Sequence, residues 1–159
     1  MRVGFGYDVH SLTEGETLWL GGILIPHCKG TVAHSDGDVL IHALCDAMLG
    51  AAKLRDIGFH FPDTSSEFKN VDSKLLLKKC QELIVEKGYR IENIDATIAA
   101  QKPKLKDYIP EMEKVLAVIL GIDIDDVSIK ATTTEKLGFE GREEGISAYV
   151  VVLLQKKYF

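Results

Sequence analysis

The sequence predicts one domain in which strands and helices alternate along the chain and build a sheet that helices cover on one face only. Three observations predict it. Apolar residues recur with helical spacing in three stretches only, over 38–53, over 73–87, and after Ile109-Pro110 as far as Gly121. Period-two alternation marks strands at 2–10 and 89–100, and a short apolar run bounded by polar residues marks a last one at 146–155. Three helices are too few to cover both faces of such a sheet, and an apolar face left bare implies an oligomer. At 159 residues a single domain buries roughly 68–70% of its unfolded surface and folds without disulfide or metal staples.

From Arg2 to His10 the side chains alternate. Val3, Phe5, Tyr7 and Val9 take one face, and Gly4, Gly6, Asp8 and His10 the other. Asp8 and His10 therefore share a face, which the two glycines are expected to keep open. Leu18 to Ile25 is extended, turned at Gly21-Gly22 and closed by Pro26. The polar run His34 to Asp38 leads into the first helix, with Ser35 or Asp36 as N-cap and Asp38 in the first turn. Val39, Leu40, Ala43, Leu44, Ala47, Met48 and Ala51 form its apolar stripe, and His42 falls one turn in, beside Asp38 and Asp46.

Residues 55–66 read as an irregular loop broken at Phe61-Pro62-Asp63. Ser73 to Lys87 is the second helix, with Leu75, Leu76, Leu83 and Ile84 on its apolar side and Gly88 as its stop. The strand from Tyr89 to Ala100 ends before Pro103, and Pro110 opens the third helix in the first turn, where its missing N–H is harmless. Val127 to Thr134 is extended and enters a glycine-rich loop at 138–142. The last strand is apolar on both faces from Val150 to Leu154 and is expected to be buried on both.

Composition narrows the partners. A net charge of −5 argues against general nucleic-acid binding, which needs a basic face. No apolar run approaches the roughly 20 residues of a membrane span. The N-terminus enters a strand at once, without a secretory or transit pattern. Cys28, Cys45 and Cys80 form no CxxC pair and are expected to be buried free thiols in a reducing compartment.

Two constellations carry chemistry. Asp8, His10 and His42 offer a carboxylate and two imidazoles, a donor set that suits Zn²⁺ and leaves a fourth position open. Asp46 or Asp38 is expected to hold the His42 ring. Ordinary polar roles for all three residues remain open from spacing alone. Lys130-Ala131-Thr132-Thr133-Thr134-Glu135-Lys136 ends a strand in hydroxyls and backbone N–H groups suited to phosphate oxygens. Glu135 beside them could hold a hard cation such as Mg²⁺. The threonines also fit plain strand propensity.

Gly6 to His10, Ala33 to Asp38 with His42, Asp56-Ile57-Gly58, Phe61 to Thr64, and Lys130 to Phe139 together resemble the 2-C-methyl-D-erythritol 2,4-cyclodiphosphate synthase family, in that family's order. The resemblance implies an α+β fold: a mixed β-sheet with helices layered on one face, three sheets packing together in a homotrimer with active sites between subunits. It implies intramolecular phosphoryl transfer on 4-diphosphocytidyl-2-C-methyl-D-erythritol 2-phosphate, releasing CMP, in the non-mevalonate route to isoprenoid precursors. Zn²⁺ would sit on Asp8, His10 and His42, and Mg²⁺ or Mn²⁺ on Glu135 and the substrate phosphates.

By the same resemblance His34 and Thr133 would stabilise the transition state, His34 and Ser35 would grip the phosphate of the methylerythritol portion, and Asp8, Val9 and His10 would also contact substrate. Asp56, Ile57 and Gly58, with Phe61, Pro62, Asp63, Thr64 and Ser65, would shape the pocket for ribose and methylerythritol. Ala100, Gln101, Lys102, Pro103, Lys104, Leu105 and Lys106 would read cytosine. Thr132, Thr133, Thr134 and Glu135 would meet the cytidine phosphates. Phe139 and Arg142 would complete the surface, Arg142 near a central cavity of the trimer. The chain departs from the family pattern at Arg55, where glycine is expected, and at Ser65, where aspartate is. A bacterial cytoplasmic protein, or the mature form of an organelle (stromal) one, fits this reading. A nucleotide-binding module without activity and a zinc hydrolase using His34 as base are the alternatives.

Overall fold

The computed structural model describes residues 1–157. In chain order the elements are β1 (Arg2–Glu14), β2 (Leu18–Leu20), β3 (Ile23–Ile25), β4 (Lys29–Thr31), α1 (Val39–Ala51), α2 (Ile57–His60), α3 (Ser73–Glu86), β5 (Tyr89–Ala99), α4 (Ile109–Leu120), β6 (Val127–Thr132), α5 (Gly138–Gly141) and β7 (Gly145–Lys156). Five strands form one sheet in the order β4-β1-β7-β5-β6, and β2 and β3 form a separate hairpin. The sheet is mixed: β1, β7 and β5 pair antiparallel, whereas β5 and β6 are parallel. This is the α+β architecture expected, with the helices on one face.

The register explains what faces what. Gly6, Val150 and Ala96 lie across from one another, as do Asp8, Ala148 and Ile98. That row, with Val152, Leu154 and Ile94, points into the helix layer and makes the core. Ten residues of α1 are buried there. Contrary to the expectation from sequence, the two glycines of β1 do not keep their face open. A Cβ on Gly6 would stand 1.8 Å from the Ala43 carbonyl oxygen, and one on Gly4 1.9 Å from that of Ala47. The backbone of α1 fills the space, so helix and strand meet without intervening side chains.

Asp38, not Ser35 or Asp36, is the N-cap of α1. Its carboxylate accepts from the Ile41 N–H at 3.0 Å and also from Gly21 and Gly22 at 3.0 and 2.7 Å. The β2–β3 turn thus docks on the cap and buries it completely. Asp36 is used elsewhere, accepting from the N–H groups of Asp38 and Ser73. Helix α3 begins at Ser73 behind the cap Asp72. It buries Leu76, Leu77, Cys80 and Ile84, whereas Leu75 is exposed, because α3 packs against both α1 and α4 and is turned accordingly. Gly121, at φ 65°, ends α4.

Other differences are local. β1 runs on to Glu14 because β4 pairs with its last residues. The extended stretch after Val127 stops at Thr132. The 55–66 loop contains α2, capped by Asp56, and meets a 3-10 turn over Ser66–Phe68. The glycine-rich loop at 138 is a helical turn whose Glu140 is buried and accepts from Ser147 Oγ at 2.8 Å. Cys45 and Cys80 are buried, Cys28 is exposed, and all three are free. Among the described residues no helix is long and apolar enough to cross a membrane.

The opposite face of the sheet is bare in the single chain. Val3, Phe5, Tyr7 and Val9 of β1 and Tyr149 and Val151 of β7 are exposed there, the two tyrosine rings 5.1 Å apart. At Tyr149 and Val151 β7 is therefore covered on one face and not on both, since among the described residues no second helix layer lies over them. Toward β6 the same face turns polar, with Asp95 and Lys130 ion-paired.

The glycine seam gives a direct test. Gly6→Ala lowers unfolding free energy by about 1–3 kcal/mol, an overpacking cost. Gly50→Ala, whose Cβ meets nothing within 4 Å, is neutral or stabilising by up to about 1 kcal/mol. Thermal unfolding of the two variants measures the contrast.

Candidate functional site

The seam decides where the site forms. With α1 held against β1, His42 on the first turn of α1 comes over Asp8 and His10 on the strand. Asp8 Oδ2 lies 3.1 Å from the Nδ1 atoms of both His42 and His10. The imidazole rings stand 5.1 Å apart, and the three donor atoms lie within 4.8 Å of one another. Burial opposes the charge on Asp8, but the two imidazoles beside it overcome that and hold its carboxyl at about 2. Burial likewise disfavours the charged His42 ring, and the hydrogen bond to Asp8 more than compensates, raising its pKa.

The far side of His42 is held by residues to which the sequence assigned other roles or none. Its Nε2 is 2.9 Å from Ser73 Oγ and 3.1 Å from Ser35 Oγ. The Ser73 hydroxyl donates to Asp36, so Ser73 Oγ must accept the Nε2–H proton of His42. That chain reserves Nδ1 for the cluster. Asp46 and Asp38, expected in this role, do not hydrogen-bond the His42 ring; Asp38 meets His42 only through the backbone, its carbonyl accepting from the His42 N–H at 3.0 Å. Asp46 accepts from the Ile57 N–H at 2.8 Å and ties α1 to α2, and Asp38 is spent on its cap. No sequence signal marked Ser73, because a serine after aspartate at a helix start reads as capping.

The donor set fits a divalent cation. His10 Nδ1 is buried and, although 3.1 Å from Asp8 Oδ2, is not aligned for a hydrogen bond to it, so this nitrogen is available to a cation. Asp8 is an ionised carboxylate, and the His42 tautomer is fixed from behind. A borderline-soft ion taking nitrogen and oxygen suits the trio best.

The cluster lies at a cleft of about 340 Å³ lined by His10, Ala33, His34, Ser35, His42, Ile57, Gly58, Phe61, Asp63, Phe68, Val71 and Leu76. This is within the size range of small-ligand sites. His34 Nε2 lies 3.2 Å from the Ser65 carbonyl. Asp56 caps α2 through the Phe59 N–H, and Pro62 and Thr64 are exposed on the outer loop. The Val9 side chain points to the bare sheet face, so only its backbone is available here. Arg55 has a left-handed backbone, φ 71°, and stacks on Phe59 at 4.2 Å.

A second cleft lies at the ends of β5 and β6. Ala100, Gln101, Pro103, Lys104, Leu105, Lys106, Ile109, Ala131, Thr132 and Thr133 line it. Gln101 Oε1 accepts from the Lys136 N–H, and Lys102 pairs with Glu143 at 3.4 Å. Glu135, exposed at φ 54°, accepts from Thr133 Oγ1 at 3.3 Å, and Thr134 Oγ1 donates to the Leu137 carbonyl. Phe139 packs against Gly145. Arg142 is exposed and bound to Glu144 at 2.9 Å. The two clefts share no residue. β1 and β6 are three strand spacings apart, roughly 14 Å, so one chain does not merge them.

A mixed sheet with one helix layer and an Asp-His-His cluster in a cleft defines an α+β protein with a metal-competent site. Comparison with known proteins is more specific: the chain belongs to the YgbB family, whose model matches residues 1–155. It is 67% identical over 156 residues to the 2-C-methyl-D-erythritol 2,4-cyclodiphosphate synthase of Bacteroides fragilis, covering 98% of each chain. Among solved structures it is similar to the bifunctional IspDF of Campylobacter jejuni, with a TM-score of 0.94 and 47% identity, over 99% of this chain and 42% of that one. The CDP complex of IspF from Plasmodium falciparum matches with a TM-score of 0.87 and 36% identity, over 99% of this chain and 97% of that one.

Two predictions test the cluster. Wild-type protein binds Zn²⁺ through it, His42→Ala does not, and Ser73→Ala binds about 10- to 100-fold more weakly because the ring loses its support. Chelator competition reads all three. Since the ion must displace a proton whose hold on His42 is strengthened by Asp8, affinity falls as pH drops below that ring's raised pKa. The loss is about tenfold per pH unit for each proton displaced.

Proposed function

We propose that this chain is a 2-C-methyl-D-erythritol 2,4-cyclodiphosphate synthase, one domain that converts 4-diphosphocytidyl-2-C-methyl-D-erythritol 2-phosphate to the 2,4-cyclodiphosphate and CMP. The observation that carries the reading is the convergence of Asp8, His10 and His42 within 4.8 Å, beside His34 and Ser35 in one cleft. Family membership and the curated relatives' activity support it. An oxygen of the 2-phosphate bonds to the β-phosphorus, and the bond from that phosphorus to the oxygen bridging it to the α-phosphate breaks. CMP departs with that oxygen. Both reacting groups belong to one molecule, so the protein's work is to fold the substrate and neutralise charge.

Zn²⁺ on Asp8, His10 and His42 would supply Lewis-acid polarisation of the phosphoryl group, with Mg²⁺ or Mn²⁺ on Glu135 and the substrate phosphates offsetting leaving-group charge. The remaining work falls to side chains and backbone. The Ser65 carbonyl anchors one edge of the His34 ring, and the other nitrogen grips the phosphate of the methylerythritol portion. Ser35 adds a hydroxyl beside it. Residues 56–58 and 61–65 wall the sugar end of the first cleft. The second cleft, closed by Leu105 and edged by Lys104 and Lys106, takes the cytosine, with Thr132 to Glu135 at its phosphates and Thr133 at the transition state.

Separation of the clefts within one chain supports a shared site. In a homotrimer packed through the bare β1–β7 face, the cytidine cleft of one subunit completes the metal cleft of the next. Phe139, packed at Gly145 where β7 begins, and Arg142 would complete the binding surface.

³¹P NMR of the protein with substrate, Zn²⁺ and Mg²⁺ tests the reaction. CMP growing in together with two mutually coupled cyclic diphosphate signals is the expected result. CMP with a linear phosphate product means hydrolysis, and no turnover by metal-loaded protein reduces the chain to a binding protein. Glu135→Gln keeps Zn²⁺ and loses most of its response to Mg²⁺; full activity at low Mg²⁺ in that variant overturns the Glu135 assignment.

A further inference from the structure

The outer wall of the metal cleft is thin. Phe68, Val71 and Leu76 line the cleft on one side and a groove on the outer surface on the other. Between α2 and α3 this segment has only the short turn Ser66–Phe68 for regular structure. On its inner side it is tied to the 34–36 loop: the Asn70 N–H donates to the His34 carbonyl at 2.7 Å, and the Asp36 N–H donates to that of Val71 at 3.1 Å.

On the outer side the tie is of another kind. Phe61 and Phe68 meet edge to face with centroids 5.5 Å apart. The Lys79 ammonium lies 5.9 Å from the Phe61 centroid and 5.4 Å from that of Phe68, within the reach of cation–π attraction to both rings. Its methylene stem can also cover apolar ring surface. Lys79 rides on α3, whose first residue, Ser73, holds the His42 ring. One rigid helix therefore positions a metal ligand at its start and the cleft wall two turns on.

We propose that Lys79 is a positioning residue that clamps the Phe61–Phe68 pair and holds the cleft wall in its substrate-binding arrangement. The substrate side of this proposal rests on the synthase reading; the clamp itself does not. Loss of the clamp leaves the metal ligands and His34 in place and lowers the fraction of chains with a formed wall. Apparent affinity falls by that fraction while the chemical step is untouched.

The test uses the full chain with Lys79→Met, which keeps the stem without the charge, and Lys79→Arg, which keeps the cation. In Lys79→Met, backbone amides at 61–71 exchange with deuterium about two- to fivefold faster than in wild type, the factor expected for an exposed cation–π contact. KM for the diphosphocytidyl substrate rises by the ratio of the formed-wall fractions, at most about two- to fivefold, kcat and Zn²⁺ affinity stay unchanged, and Lys79→Arg restores wild-type values. Unchanged exchange in Lys79→Met overturns the clamp, as does Lys79→Arg behaving like Lys79→Met. A fall in kcat at constant KM overturns the positioning role. If metal-loaded wild-type protein turns over no substrate, the synthase reading fails, and the exchange measurement alone still decides the clamp.

Discussion

The close approach of α1 to β1 is the constraint on which the rest depends. Gly4 and Gly6 carry no side chain, so the carbonyls of Ala43 and Ala47 rest where Cβ atoms would be. The small residues of α1 and the glycines of β1 make a flat seam, and a flat seam allows one spacing. At that spacing a histidine one turn into the helix falls level with the carboxylate and imidazole two and four residues beyond Gly6. A bulkier seam would lift α1 away and leave three unconnected polar residues.

Distance alone does not aim an imidazole. Rotation of α1 about its axis is set by Asp38, whose carboxylate takes the Gly21, Gly22 and Ile41 N–H groups. Burial pushes this carboxyl's pKa up, against the pull of the Gly22 and Ile41 N–H groups. The cap is a costly group whose value lies in orientation. From the other side, Asp36 and Ser73 fix the His42 tautomer. Two aspartates two residues apart thus serve one histidine indirectly, one through the helix and one through a serine.

The bare sheet face links fold to function at a larger scale. One helix layer covers one side of the sheet, and the exposed valines and aromatic rings of β1 and β7 form an apolar patch of the kind that marks an interface. The proposed catalytic site depends on that face being covered by other copies, since the metal cleft and the cytidine cleft lie on different strands. On that proposal assembly and catalysis would be one property.

Much of this was legible in the residues. Alternation along β1 placed Asp8 and His10 on one face, helical periodicity placed His42 one turn into α1, and the threonine run marked the end of β6. The long helices and strands, the uncovered face and the candidate donor trio follow from local periodicity, which depends only on chain geometry. What local pattern cannot carry is which partner a group chooses across the fold. Asp38 was read as a first-turn charge and proved to be the cap, because the β2–β3 turn comes to it from sixteen residues away. Gly4 and Gly6 were read as open space and proved to be filled by a helix backbone. Ser73 had no signal, since its role exists only when α3 lies beside α1. The sequence by itself determined the elements and the chemistry they carry; tertiary structure decided the aim of each donor, because aim is set by contacts between residues far apart in the chain.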